Sequence, residues 1–399
     1  MPLEGGTPVK VNDAGHNVGF DYGVSPDGSW VAYSLAYSQG EAVYSAPIEG
    51  GACNERKSDA ESLWAFEISQ DSSRVVYQLH AGSHAVYSVP IGGGSRTKIN
   101  GPVIPNGEVD LSFEITPDSG EVLYVAEGEA HDLFELYRVP IAGGESAKLS
   151  ERDATCGDVS NDYLVRPDGE HVVYRADQEK DNVWELYSVA PDSGAPVKLN
   201  GSLPETGDVA YRGFAISPDG NWVVYVADQE TPGRGELYSV PISGGTPTKL
   251  NDDRVTGGDV DDESVEISPD SSTVVYLADQ EADGDQELYS VPITGGTAVK
   301  LNGQLEGSGD VADDFVIGPN SARVVYRADQ DTFGVWELYS VPIAGGSFVR
   351  LSGLMPSYAD VVIGEFTFSF DGEHVLFVSD QQADGHHEVY SVPATGGAP

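Results

Sequence analysis

Apolar residues fall in short runs that keep a period of two. Ser264-Val265-Glu266-Ile267 alternates and predicts a strand ended by the turn Pro269-Asp270-Ser271. Thr273-Val274-Val275-Tyr276-Leu277, β-branched and aromatic, predicts a second strand. Glu287-Leu288-Tyr289-Ser290-Val291 alternates again, is stopped by Pro292 and is turned by Gly295-Gly296. Ala298-Val299-Lys300-Leu301-Asn302 makes a fourth. No segment keeps a helical period, so the chain reads as all-β.

This unit recurs. The tyrosine of Tyr-Ser-Val-Pro-Ile-x-Gly-Gly stands at Tyr44, Tyr87, Tyr137, Tyr187, Tyr238, Tyr289, Tyr339 and Tyr390, in steps of 43, 50, 50, 51, 51, 50 and 51 residues. A Ser-Pro-Asp-Gly turn precedes each, nearly intact at Ser25, Ser217 and Ser268 and degenerate at Ser69, Thr116, Arg166, Gly318 and Ser369. Proline presets φ there, aspartate bonds back to the chain and glycine tolerates positive φ. A four-stranded meander cannot bury both of its faces by itself, so neighbours must stack. Eight such sheets stacked radially make an eight-bladed β-propeller spanning residues 1–399 as one domain. The chain ends at Gly396-Gly397, where a fourth strand is due, and begins with Gly5-Gly6-Thr7-Pro8-Val9-Lys10-Val11-Asn12, a fourth strand with no unit before it. Residues 1–12 are therefore expected to complete blade 8 and close the ring, leaving no open edge.

Ser-Pro-Asp-Gly, a Val-Val-Tyr strand and Glu-Leu-Tyr-Ser-Val-Pro together resemble the TolB-type propeller repeat, a relative of the WD repeat. The resemblance covers essentially the whole chain. It implies a propeller used as a protein-binding platform, as a peptidase lid or as the scaffold of a sugar lyase. The chain departs from TolB itself in lacking that protein's N-terminal domain, and in a longer loop between the second and third strands.

Composition changes the picture mainly through charge. Sixty-five acidic residues against 21 basic ones give a net charge of −44. That balance excludes nucleic acid as a partner and favours a cationic ligand or a basic protein. No apolar run is long enough for a membrane span, and the first residues carry no signal-peptide pattern. Cys53 and Cys156 lie in different repeats and make no disulfide framework. With the resemblance, this places the chain at the cell surface, in the periplasm or outside the cell.

In an up-and-down meander the loops after strands two and four share one face, and most of the acid falls there. Before the first strand stand Glu108, Asp158, Asp208, Asp259, Asp310 and Asp360, expected to ring the mouth of the central channel, with Asn17 neutral in blade 1. Between strands two and three runs Ala-Asp-Gln-Glu-x-Asp-Gly, best formed at Asp279, Glu281, Asp283, Gly284, Asp285 and Glu287. Oxygen ligands at alternate positions around a glycine turn suit calcium. Asp177, Glu179, Asp181 and Glu185 repeat the pattern, as do Asp329, Asp331 and Glu337, and Asp380, Asp384 and Glu388. The spacing is not an EF-hand loop, and the same residues also suit plain hairpin turns. Blade 5 interrupts the run with Pro232, and blades 1 and 2 lack it.

Other chemistry finds less support. The eight histidines, among them His80, His84, His171 and His374, do not recur at equivalent positions, and Gly94-Ser95 is a nucleophile elbow only in outline. Trp184, Trp336 and Phe134, before Glu-Leu-Tyr, suit packing between blades or a sugar platform. Lys10, Lys98, Lys148, Lys198, Lys249, Lys300 and Arg350 recur in the fourth strand, where charge discourages edge pairing. The sequence thus points to a non-enzymatic binding or scaffold propeller with an acidic face and calcium as its ion. Its alternatives are a carbohydrate-active enzyme with a carboxylate or metal site at the channel mouth, and a repeat module of a larger surface or filament protein.

Overall fold

The computed structural model describes residues 9–12, 18–37, 40–51, 54–56, 62–80, 84–101, 103–105, 107–151, 157–191, 194–252, 255–305, 307, 309–357, 359–383 and 385–397. Residues 1–8 of the expected closing strand lie outside this set, as do His16, Asn17, Cys53, Cys156 and Asp384. Every regular element described is a β-strand. No helix is long and apolar enough to cross a membrane.

Each repeat folds into one antiparallel meander. In the sixth, Val260–Ile267, Thr273–Ala278, Glu287–Pro292 and Val299–Lys300 pair in chain order. Among the described residues, seven sheets have four strands and the eighth has three, Val361–Phe368, His374–Ser379 and Glu388–Pro393. The first strand of the sixth repeat begins at Val260 rather than Ser264. Val260 pairs with Ala278, and a bulge then carries the chain to the pair Val265–Tyr276. The fourth strand is only Val299–Lys300, held opposite Ser290 and Tyr289.

The chain forms two compact units, residues 1–182 with 187–196 and residues 183–186 with 197–399. In both, the core lies between successive sheets. Side chains alternate across a strand, so neighbours in sequence face opposite ways. Val274 and Tyr276 pack against Val224 and Val226 of repeat 5. Val275 and Leu277, one residue out of phase, pack against Val324 and Tyr326 of repeat 7. In the first unit Leu123 and Val125 pack in the same way against Val172 and Tyr174. Each fully buried valine or leucine contributes about 1.5–3 kcal/mol. This is why the second strand reads as a continuous apolar run. Across the hairpin Tyr276 and Tyr289 stack with ring centres 5.6 Å apart.

Polar bonds run beside this core from sheet to sheet. Ser290 Oγ, from Tyr-Ser-Val-Pro, donates to the Ile343 carbonyl of the next repeat at 2.7 Å, and Ser239 Oγ to Ile293 at 2.6 Å. At the Ser-Pro-Asp turns the Asp219 N–H donates to Ser271 Oγ at 2.9 Å, and the Asp270 N–H to Ser321 Oγ at 3.0 Å. Ser271 and Ser321 sit at φ 62° and 56°, where other repeats use glycine. The backbone strain of about 1 kcal/mol is offset by a hydroxyl that glycine cannot supply. The eighth repeat departs from the pattern. Val389 is 71% exposed and Leu376 39% exposed, whereas Leu288 and Val275, at the same register in repeat 6, are fully buried.

Ser271→Ala keeps the strain and removes the acceptor, so it should destabilise the protein by about 1–2 kcal/mol, while Ser271→Gly recovers part of that loss. Urea unfolding followed by tyrosine fluorescence tests the order; equal stability of all three forms would show that the hydroxyl bridge carries no weight.

Candidate functional site

In repeats 3 to 8 the two acid-bearing loops of a sheet meet, as the connectivity requires. In repeat 6 the Asp279 N–H donates to the Asp259 carbonyl at 3.2 Å. What the carboxylates do there differs from a ligand cage. Asp279 Oδ1 accepts the Asp259 N–H, and Oδ2 accepts the Gly284 N–H at 2.8 Å, closing the hairpin. One side chain thus ties the two loops of its sheet together. The loop aspartate then reaches the preceding repeat, for Asp310 Oδ1 accepts the Gln286 N–H at 3.0 Å while its own N–H donates to Asp329 Oδ1 at 2.7 Å. Asp329 Oδ2 accepts from Gly334 at 2.8 Å.

This clasp recurs. Asp158 accepts from Phe134 and donates its N–H to Asp177, which also caps Asn182. Asp208 accepts from Trp184 and donates to Asp228, which also caps Gly233. Asp360 accepts from Trp336 and donates to Asp380, which also caps Gly385. In repeat 3 glutamates take over, with the Glu108 N–H on Glu127 Oε2 at 3.0 Å and Asp132 on Oε1 at 2.7 Å. Asp177, Asp279, Asp329 and Asp380 are buried by this service. Burial pushes the Asp158 and Asp310 carboxyls up, against the amides of Phe134 and Gln286.

The glutamate that opens the third strand has a separate task. Glu287 accepts from the Tyr289 hydroxyl at 2.6 Å and pairs with Lys300, which also reaches Glu281 at 3.2 Å. Glu337 is held by Tyr339 at 2.7 Å and Arg350 at 2.8 Å, with Asp331 on the same guanidinium at 3.3 Å. Lys198 pairs with Glu185, and Lys148 with Glu135 and Glu129. The fourth-strand cations Lys148, Lys198, Lys300 and Arg350 therefore neutralise buried glutamates. That task accounts for their recurrence better than edge protection does. The calcium candidates are divided among these jobs: Asp279, Asp177 and Asp329 clasp, Glu287, Glu185 and Glu337 sit in ion pairs, and Glu179, Asp181 and Asp283 lie exposed with Asp285 half-buried. Among the described residues no three His, Cys, Asp or Glu side chains gather as a metal cage.

Sequence reading missed Glu127 and Asp228 as clasp members, although the offset from the second strand would have found them. It also missed a carboxylate pair on the first strands. Glu67 Oε2 accepts the Ile115 N–H at 3.4 Å. Beside it Glu114 is pushed up to about 7 by burial and by the Glu67 charge. Trp336 is no open platform, because the Arg327 guanidinium covers its ring at 4.6 Å while bonding Asp314.

Two cavities stand near these elements. One, of 440 Å³, is lined by Asp208, Asp228, Asp259, Asp261, Asp262 and Arg234, whose guanidinium donates to the Val255 carbonyl at 3.1 Å. The other, of 540 Å³, lies along the first strands of repeats 1 and 2 and is lined by Asp21, Tyr22, Trp64, Glu67 and Gln70. Tyr22 and Trp64 are exposed there.

The sequence matches no family model and no curated protein. Solved structures do resemble it. A eukaryotic initiation factor is 12% identical over 99% of this chain and 94% of its own, with a TM-score of 0.56. Porphyromonas gingivalis dipeptidyl peptidase 4 is 12% identical over 94% of this chain, with a TM-score of 0.57, and the chain spans 59% of that peptidase's length. A putative TolB from Agrobacterium tumefaciens is 18% identical over 62% of this chain and 83% of its own, at a TM-score of 0.37. The first two likenesses show the propeller fold and leave its ligand open.

Asp279→Ala strands the Asp259 and Gly284 amides and should destabilise the fold by about 3 kcal/mol. Chemical unfolding measures it; a change below about 0.5 kcal/mol would remove the clasp from the stability of the fold. Glu114 has a folded pKa raised above its unfolded value. Its contribution is complete below about 4.5, the ordinary glutamate range, and is lost as pH rises through about 7. Glu114→Gln should therefore be more stable than the parent at pH 8, with the gap shrinking toward pH 5; a gap independent of pH overturns this.

Proposed function

We propose that this chain is a non-enzymatic binding propeller of the cell envelope or exterior, whose acidic face takes a basic segment of a partner protein. The observation that carries this reading is the 440 Å³ cavity. Its five aspartates face a single arginine. Asp228 is committed to the Asp208 and Gly233 amides, and Asp208 to Trp184. Asp261 and Asp262 sit on the first strand beyond the clasp. A lysine or arginine side chain entering there meets carboxylates in a concave, predominantly negative field.

The proposal includes a closed ring, with residues 1–12 completing the eighth sheet. One feature supports it. Val9 abuts Gly50 as Val299 abuts Gly345 and Val349 abuts Gly396, so Val9 holds the place of a preceding repeat's fourth strand. Val389 and Leu376 belong to a register that is buried elsewhere and stay exposed, so the structure itself does not show the closure. A repeat module of a larger assembly would instead meet another repeat there.

A second reading, a carbohydrate-active propeller, is favoured by the 540 Å³ cavity. Exposed Tyr22 and Trp64 beside Asp21, Glu67 and Gln70 combine apolar ring faces with hydrogen-bond acceptors.

Titration calorimetry with a Lys/Arg-rich peptide should show binding that weakens with salt, and Asp261→Asn with Asp262→Asn should weaken it by about fivefold or more. Equal binding by that variant would refute the cavity as the site. Release of reducing sugar in a glycan screen would establish the second reading in its place.

A further inference from the structure

Repeat 2 lacks the acidic hairpin, and a histidine pair occupies its place. His80 ends the second strand, Arg74–His80, and His84 opens the third, His84–Pro90. The two are direct cross-strand partners, with ring centres 4.4 Å apart. By register from the paired tyrosines, His80 stands where Asp279 stands in repeat 6, and Ala85 stands where Glu287 does. Imidazole cannot accept two backbone amides as that aspartate does, so the clasp is absent here. Both rings are only partly exposed. His80 Nδ1 and His84 Nε2 are shut off from solvent and meet no hydrogen-bond partner.

Two unsatisfied, enclosed imidazole nitrogens on one hairpin are an unfavourable arrangement unless something fills it. Trp64 closes one side edge-on to His84 at 5.7 Å. The carboxylates of Glu108 and Asp110 in repeat 3 lie near enough to act on His84. Burial and the neighbouring His80 hold His84 below the usual histidine range. Imidazole suits borderline divalent metals, whereas calcium prefers oxygen. A chain of net charge −44 concentrates such cations at its surface.

We propose that His80 and His84 form a two-histidine site for a borderline divalent cation such as Zn²⁺, Ni²⁺ or Co²⁺, its remaining positions filled by water. Rings this close can each present one nitrogen to a single ion at a bond length of about 2.0–2.1 Å. The ion takes up the two orphaned nitrogens in the hairpin of repeat 2, where the aspartate clasp is missing.

The test is a Co²⁺ titration of the full chain, in about 0.15 M salt to screen surface carboxylates and with millimolar calcium to occupy oxygen sites. One saturable equivalent is expected, and His80→Gln and His84→Gln should each weaken it about tenfold or more by removing one of two nitrogen ligands. Unchanged affinity in the double variant, with the fold intact by circular dichroism, would overturn the proposal. Electron paramagnetic resonance of the native chain with Cu²⁺ provides a check that needs no variant: coupling to two nitrogens supports the site, and an all-oxygen spectrum refutes it.

Discussion

A carboxylate that accepts two backbone amides, one from the turn of its own hairpin and one from the neighbouring loop, is the contact on which the acidic end of this fold depends. Asp279 closes its hairpin through Gly284 and fixes Asp259. Asp310 extends the chain of bonds by taking the Gln286 amide of the preceding repeat. Short loops between four-stranded sheets leave many N–H groups with no strand partner, and such groups cannot be buried unpaired. A short anionic side chain with two oxygens meets two of them at once, and charge-assisted bonds of this kind are stronger than neutral ones. Removing the acid would therefore loosen the loops before it altered any ligand.

The same logic divides the acidic residues by task. Glutamates at the head of the third strand are buried with a tyrosine hydroxyl and a fourth-strand cation, as Glu337 is with Tyr339 and Arg350. A buried ion pair of this sort adds little net stability, yet breaking it is costly, which fixes the register of a two-residue strand. The acid left over, at Asp261, Asp262 and the hairpin tips, is the part able to meet another molecule. The −44 charge is therefore partly internal architecture and partly a recognition surface.

Where a repeat departs from the common pattern, the departure has local consequences. Repeat 2 exchanges the clasp aspartate for His80 and loses the paired glutamate to Ala85, so two imidazoles face each other in its hairpin. Repeats 2 and 3 carry Glu67 and Glu114 on their first strands, where repeats 4 and 5 have Leu164 and Ala215. Burial, with the Glu67 charge beside it, raises Glu114 to about 7.

The sequence by itself determined the meander, its repeat number and its turns. Those are local matters: a period of two, β-branched residues and Pro-Asp-Gly chemistry act within a few residues. It also fixed which loops lie together, since strand connectivity alone sorts them. Only the tertiary structure decided what each carboxylate does. Asp279 and Asp283 are equivalent in a list of oxygen ligands, but one faces two amides and the other faces water, and that difference is set by loops brought together across the sheet. The fourth-strand lysines likewise read as edge charges until Lys300 is seen against Glu287. The pairing of His80 with His84 was legible only as two scattered histidines, because cross-strand register, not sequence spacing, places their rings side by side.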